Sequence, residues 1–142
     1  MYQHTQTGKW IIVVFGALAI GLLVMGFLRP PIFPALILAI GLLAALLLFG
    51  SLTVLGDEKQ ISFYFGIRAI RKRYKYDDLQ TVRKVRNKWY WGWGIRWFGR
   101  GWLYNVSGLD AVELILKSGK IRRIGTDDPD NLMRFIMTRI KK

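Results

Sequence analysis

Residues 32–65, IFPALILAIGLLAALLLFGSLTVLGDEKQISFYF, decide the fold. Up to Phe49 the run holds no polar side chain, and Pro34 suits the first turn of a helix, so a helix is predicted at about Pro34–Phe49, ended by Gly50-Ser51. From Leu52 the period becomes two. Leu52 and Val54 alternate with Thr53 and Leu55, and after Gly56-Asp57 the residues Ile61, Phe63 and Phe65 alternate with Ser62 and Tyr64. An apolar rod therefore hands over to a β domain within two residues.

Upstream, Trp10–Leu28 is a second apolar run, 19 residues without a charge. At about 1.5 Å per residue it nearly crosses a hydrocarbon core of ~30 Å. Arg29-Pro30-Pro31 stops it. The joint between the two runs is too short for anything but an antiparallel helical hairpin over residues 10–50, with spans at about 10–28 and 34–49. Ala17 and Gly21 on the first span, and Ala35 and Ala39 on the second, are small residues four apart that suit close helix approach. A cleaved signal peptide is disfavoured, because a second span follows at once. Buried core helices are disfavoured too, since neither run has a polar face. Residues 1–9, MYQHTQTGK, are expected to be a flexible polar tail.

Charge is split between the two regions. Residues 1–50 carry only Lys9 and Arg29, whereas residues 51–142 carry the other 20 Lys/Arg and all nine Asp/Glu. The basic region calls for anionic partners: acidic lipid, nucleic acid or an acidic protein. Positive charge flanks the chain ends of the hairpin, with only Arg29 in the opposite loop, so both termini are expected to be cytoplasmic. There is no Cys, and the single His, His4, lies in the tail. Thiol chemistry is excluded, and no nucleophile–base pair, metal set or cofactor site can be assembled.

Downstream, Ile70–Tyr76 alternates Ile70, Lys72, Tyr74 and Tyr76 with Arg71, Arg73 and Lys75. Asp77-Asp78 reads as a turn or short helical start, and Thr81–Arg86 as a further strand. Gly101–Val106 predicts a strand with Trp102, Tyr104 and Val106 on one face and Leu103 and Asn105 on the other. Trp102 and Tyr104 are read as core, and Asn105 as a tie to neighbouring backbone. Ala111–Lys117 and Lys120–Gly125 form a hairpin about Ser118-Gly119, with Val112, Leu114 and Leu116 inward and Glu113 outward. The last element is a helix opened by Asp127 or Asp128 and Pro129, with Leu132, Phe135, Ile136 and Ile140 as its apolar stripe and Lys141 and Lys142 solvated at its end. That stripe should plug one end of an antiparallel barrel or sandwich of about seven strands. The whole is an α+β membrane protein with its β domain at 51–142.

Asn87–Gly108, NKWYWGWGIRWFGRGWLYNVSG, holds five of the six Trp among five glycines. Lys88, Trp89, Trp91, Trp93, Arg96, Trp97 and Arg100 are the candidate interface, since Trp and Arg dominate interface energetics. Arg68, Arg71, Lys72, Arg73 and Lys75 are the candidate contacts for an anionic surface. Nucleic acid is disfavoured by the two-span anchor.

The strings WYWGWGIR (89–96), RGWLYNVSGLDAVEL (100–114) and RIGTDDP (123–129), in that order, resemble the bacterial pleckstrin-homology-like (PH-like) domain proteins that carry a two-helix membrane hairpin. The likeness covers nearly the whole chain. It departs at Arg96–Arg100, where the family pattern leads to a more polar stretch with a Pro. The resemblance implies the fold and an inner-membrane location. It brings no activity and no residue roles, so a non-catalytic binding or scaffold module is expected. Its loop would meet a protein partner or, alternatively, its cations would meet acidic headgroups.

Overall fold

In the computed structural model, which describes residues 1–140, the chain begins with a strand. Tyr2–Thr7 (β1) pairs antiparallel with Ser51–Gly56 (β2) from Tyr2↔Gly56 to Thr7↔Ser51. The flexible tail expected at residues 1–9 is thus corrected. Tyr2, His4 and Gln6 share the face of Gly56, Val54 and Leu52, while Gln3, Thr5 and Thr7 are exposed. The alternation is that of a half-buried strand, carried by polar residues. The β domain accordingly starts before residue 51.

Everything between these strands is their connection. Gly8 N donates to Gly50 O (2.8 Å) at its base, and Lys9–Leu28 (α1) and Phe33–Phe49 (α2) pack against each other above it. Ile11, Ala19 and Gly26 on α1 and Ala39 on α2 are the buried contacts. A Cβ at Gly26 would collide with that of Ala35, so the helices touch there at backbone distance. Ala39 lies in the contact as read from the sequence, but Ala17 and Gly21 face outward. By length and composition α1, at 20 residues, could cross a membrane; α2, at 17, is shorter. Both are apolar all round, and most of their surface is covered by no other part of the protein.

Two sheets follow. The first is β1-β2-β3-β4, with β3 at Gln60–Phe65 and β4 at Ile70–Lys75, all antiparallel. A one-turn helix at Tyr76–Asp78, the short helical start that was one of the two forms expected there, leads to Leu79–Arg86 (β5). The second sheet adds Gly94–Trp97 (β6), Gly101–Asn105 (β7), Asp110–Leu116 (β8) and Ile121–Gly125 (β9) in the order β5-β8-β9-β7-β6. Among the described residues there are nine strands, against about seven expected. The second sheet is mixed, because β7 pairs parallel with β9. The loop after β7 skips one strand position, and β9, returning antiparallel from β8, fills the gap beside β7.

The core between the sheets holds Leu52, Val54, Ile61, Phe63, Phe65, Val82, Tyr104, Val112, Leu114 and Ile124. Both of its ends are plugged. Pro129–Met137 (α3) inserts Leu132 and Ile136 at one end, and Phe135 fills the space above Gly56. Pro129 begins α3 as expected, but the Asp128 carboxylate binds Asn131 and Tyr2 instead of capping the backbone. At the other end the plug is the hairpin itself. Ile11 is buried in the core, Phe15, Leu46 and Phe49 pack on it, and the Phe49 ring stands edge-on to Phe65 at 5.7 Å. Lys141 and Lys142 lie outside the described residues.

Candidate functional site

The aromatic segment is anchored where β5 ends, by Asn87 N donating to Leu109 O at 2.7 Å. One helical turn, Trp89–Trp91, then carries it outward. Gly92 (φ 65°) and Gly94 (φ 94°) reverse it into β6, and side chains rarely adopt that left-handed backbone.

The segment lies over the outer face of the second sheet. Strand register places Arg83, Glu113, Arg123, Leu103 and Arg96 in one row across all five strands. Glu113, read as facing out, does point away from the core but is only 1 % exposed. Arg83 Nε donates to its Oε1 and Arg123 Nε to its Oε2, each at 2.6 Å. A carboxylate taken out of water needs such partners. Arg123 also donates to Asn87 Oδ1 (3.3 Å) and lies 5.2 Å from the Trp91 ring and 4.3 Å from the Phe98 ring. Trp91 and Phe98 therefore roof an ion pair, with a cation–π contribution. Trp91 has a structural role that its spacing did not reveal.

The remaining rings point outward. Trp89 is 80 % exposed, Trp97 59 %, and Trp93 partly exposed. Tyr104 is core as expected, but Trp102 is a correction: it is 39 % exposed and meets Trp97 edge to face at 5.6 Å. Lys88 lies 5.6 Å from the Tyr90 ring, and Arg100 is exposed in the β6–β7 turn.

Two recesses lie between this segment and the helical hairpin. The larger, about 570 Å³, has Ile11, Phe15, Ala45 and Phe49 as one wall and the 92–96 backbone with Trp93, Ile95 and Arg96 as the other. The smaller, about 320 Å³, is lined by Trp10, Trp89, Gly92, Trp93, Gly108 and Leu109. The hairpin walls escaped the sequence reading. Their only signal was the i, i+4 pairing of Ile11 with Phe15 and of Ala45 with Phe49 at the inner ends of the apolar runs. Arg96 Nε donates to Trp93 O at 3.1 Å, and the guanidinium has no carboxylate partner among the described residues.

The basic run 68–75 does not form one patch. The β3–β4 turn abuts the hairpin, since a Cβ at Gly66 would strike the carbonyl oxygens of Leu47 and Leu48. Arg68 sits in that turn, 5.0 Å from the Tyr64 ring. Along β4, Arg71, Arg73 and Lys75 share the outer face of Tyr64, Ser62 and Gln60, whereas Lys72 pairs with Phe63 and takes the opposite face. β4 runs away from the hairpin at ~3.3 Å per residue, so Lys75 lies roughly 17 Å beyond Ile70. It ends beside Asp57 and Tyr76 at the α3 end. There Asp57 accepts hydrogen bonds from Lys59 N and Gln60 N, both 2.8 Å, which hold its carboxyl below the ordinary range.

Among the described residues, no group of three His, Asp or Glu side chains is placed to hold a metal ion. No protein-family model matches the chain, and no curated protein does.

Proposed function

We propose that this chain is a non-catalytic, membrane-anchored binding module whose sandwich is held against the cytoplasmic face of a bacterial inner membrane, with its aromatic–basic segment among anionic phospholipid headgroups. The observation that carries this reading is the recess shared by Trp10, Trp89 and Trp93. Trp10 sits in the first turn of α1. A 20-residue helix is about 30 Å long, the thickness of the hydrocarbon core, so an α1 that spans the bilayer puts Trp10 at the headgroup boundary. Trp89 and Trp93 then lie at that level, where indole rings partition preferentially. α2 falls a few ångströms short, a mismatch that a bilayer accommodates at modest cost. Lys9, Arg68 and Arg96 flank the same end, and the opposite loop carries only Arg29.

A PH-like assignment of the sandwich is supported by the order of elements: two packed sheets followed by one amphipathic helix in the end of the core. Lipid contact would orient the domain, because the covalent hairpin already retains it. A protein partner is the second reading, and one observation favours it: the exposed Trp97–Trp102 pair lines neither recess beside the hairpin.

The absence of native Cys permits a direct test. Single-cysteine full-length chains, Arg29→Cys and Glu58→Cys, would be treated with a membrane-impermeant maleimide in intact cells. Labelling at 29 alone is expected. Labelling at 58, or release of the chain from washed membranes without detergent, would overturn the proposal.

A further inference from the structure

The larger recess has the chemistry of a binding site for one phospholipid. One wall is apolar hairpin: Phe15, Ala45 and Phe49. The other is the Gly92–Gly94 reversal with Trp93, Ile95 and Arg96, and beside both glycines the space is open, since a Cβ at either would meet nothing within 4 Å. Its volume of about 570 Å³ falls in the range of small-molecule sites, roughly 300–1,000 Å³. It is continuous with the uncovered apolar faces of α1 and α2, where Val14, Leu18 and Leu47 are all at least 43 % exposed. At its mouth stands a single cation. Arg96 donates one hydrogen bond to Trp93 O, and among the described residues no carboxylate pairs with it. An apolar slot beside an uncovered apolar helix, lined also by the exposed Arg96 guanidinium, complements one acyl chain joined to one phosphate.

We propose that this recess takes one acyl chain of an anionic phospholipid, and that Arg96 binds its phosphate. The inference rests on the membrane reading above and adds to it a stoichiometric site, distinct from the diffuse contact of surface cations. A guanidinium can grip phosphate oxygens with two parallel N–H donors, which a surface lysine cannot. Because Nε is already engaged, the terminal nitrogens provide that grip.

The test uses the full chain purified in mild detergent and exposed to equimolar palmitoyl-oleoyl phosphatidylglycerol and phosphatidylcholine, with retained lipid counted by native mass spectrometry. One phosphatidylglycerol per chain is expected. Arg96→Gln should reduce its retention about ten-fold, as loss of a charge-assisted contact predicts. Ala45→Phe, which fills the slot without touching charge, should reduce retention of both lipids. Glycerol phosphate, the headgroup without chains, should not compete. Equal retention of the two lipids by the native chain, unaltered by Arg96→Gln, would overturn the proposal, as would displacement by glycerol phosphate. Failure of the membrane reading looks different: the chain would need no detergent at all.

Discussion

The two ends of the sandwich are closed by plugs that do the same work in the core and differ in every other respect. α3 buries Leu132 and Ile136 and turns Asp130, Asn131 and Arg134 outward. The hairpin buries Ile11 and packs Phe15, Leu46 and Phe49 on the same core, yet between Lys9 and Arg29, and along α2, it turns more apolar surface outward. Seven of the nine acidic residues, Asp57, Glu58, Asp77, Asp78, Asp127, Asp128 and Asp130, lie in α3 or in turns outside the hairpin end. The exposed rings Trp89 and Trp93 lie beside the hairpin. A core needs only apolar contact from its plug, so the outer surface is free to record the solvent on that side. One end presents charged and polar side chains, the other an apolar surface.

The comparison also shows that the hairpin is part of the fold. It is inserted between two paired strands, so cutting the chain before residue 51 removes both a plug and the strand that pairs with β2. The largest effect is therefore expected from the fragment 51–142, which lacks β1, Ile11 and Phe49. It should show no cooperative thermal transition by circular dichroism. A sharp transition would mean that the hairpin is a detachable tether, and the two ends would cease to be equivalent.

Substitutions inside the full chain sharpen the contrast. Glu113→Ala leaves the partly covered Arg123 without its carboxylate and should cost about 3 kcal/mol, the low end for breaking buried pairs. Because Trp91 and Phe98 roof that pair, the near-ultraviolet circular dichroism of the aromatic segment should fall as well. Retained ellipticity would separate the segment from the ion pair. Leu132→Ala at the water-facing plug should cost about 2–5 kcal/mol, measured by denaturant unfolding in detergent micelles. That cost should not depend on which detergent is used, whereas the cost of Phe15→Ala should.

The smallest effect is a pH dependence. Burial, first among the causes, pushes the Tyr76 and Tyr104 phenols up to about 12, against about 10 in an unfolded chain. The folded state thus keeps protons that the unfolded state releases, so this contribution is complete below pH 10 and is lost as pH rises toward 12. Tyr104→Phe should flatten the loss. An unaltered profile would remove Tyr104 from the account.

Period two made most strands legible: spacing alone puts Ile61, Phe63 and Phe65 on one face and turns Val112 and Leu114 inward, and all five are buried. The strand Tyr2–Thr7 was not, because its inward positions His4 and Gln6 are polar. His4 lies against Asp127, and Gln6 donates to Ser107 O at 3.0 Å, both partners more than 100 residues away. Glu113 was assigned the correct face and the wrong environment, since nothing local announces the roof that covers it. The aromatic segment stands out from its composition. Which rings serve structure and which point outward does not, because it depends on the cross-strand row beneath Trp91. The alternation of Lys72 with Arg71, Arg73 and Lys75 was legible from spacing; that β4 carries these cations away from the hairpin was not, because it depends on how the strand is placed in the sheet.

The central claim is that the hairpin end faces lipid and the α3 end faces water. Spin labels at Trp89→Cys and Asn131→Cys, each the single cysteine of a full-length chain in anionic liposomes, test it most directly through paramagnetic accessibility. The account predicts that dissolved oxygen relaxes the label at 89 more than an aqueous nickel chelate does, and that the order reverses at 131. Equal exposure of both labels to the nickel chelate would contradict it.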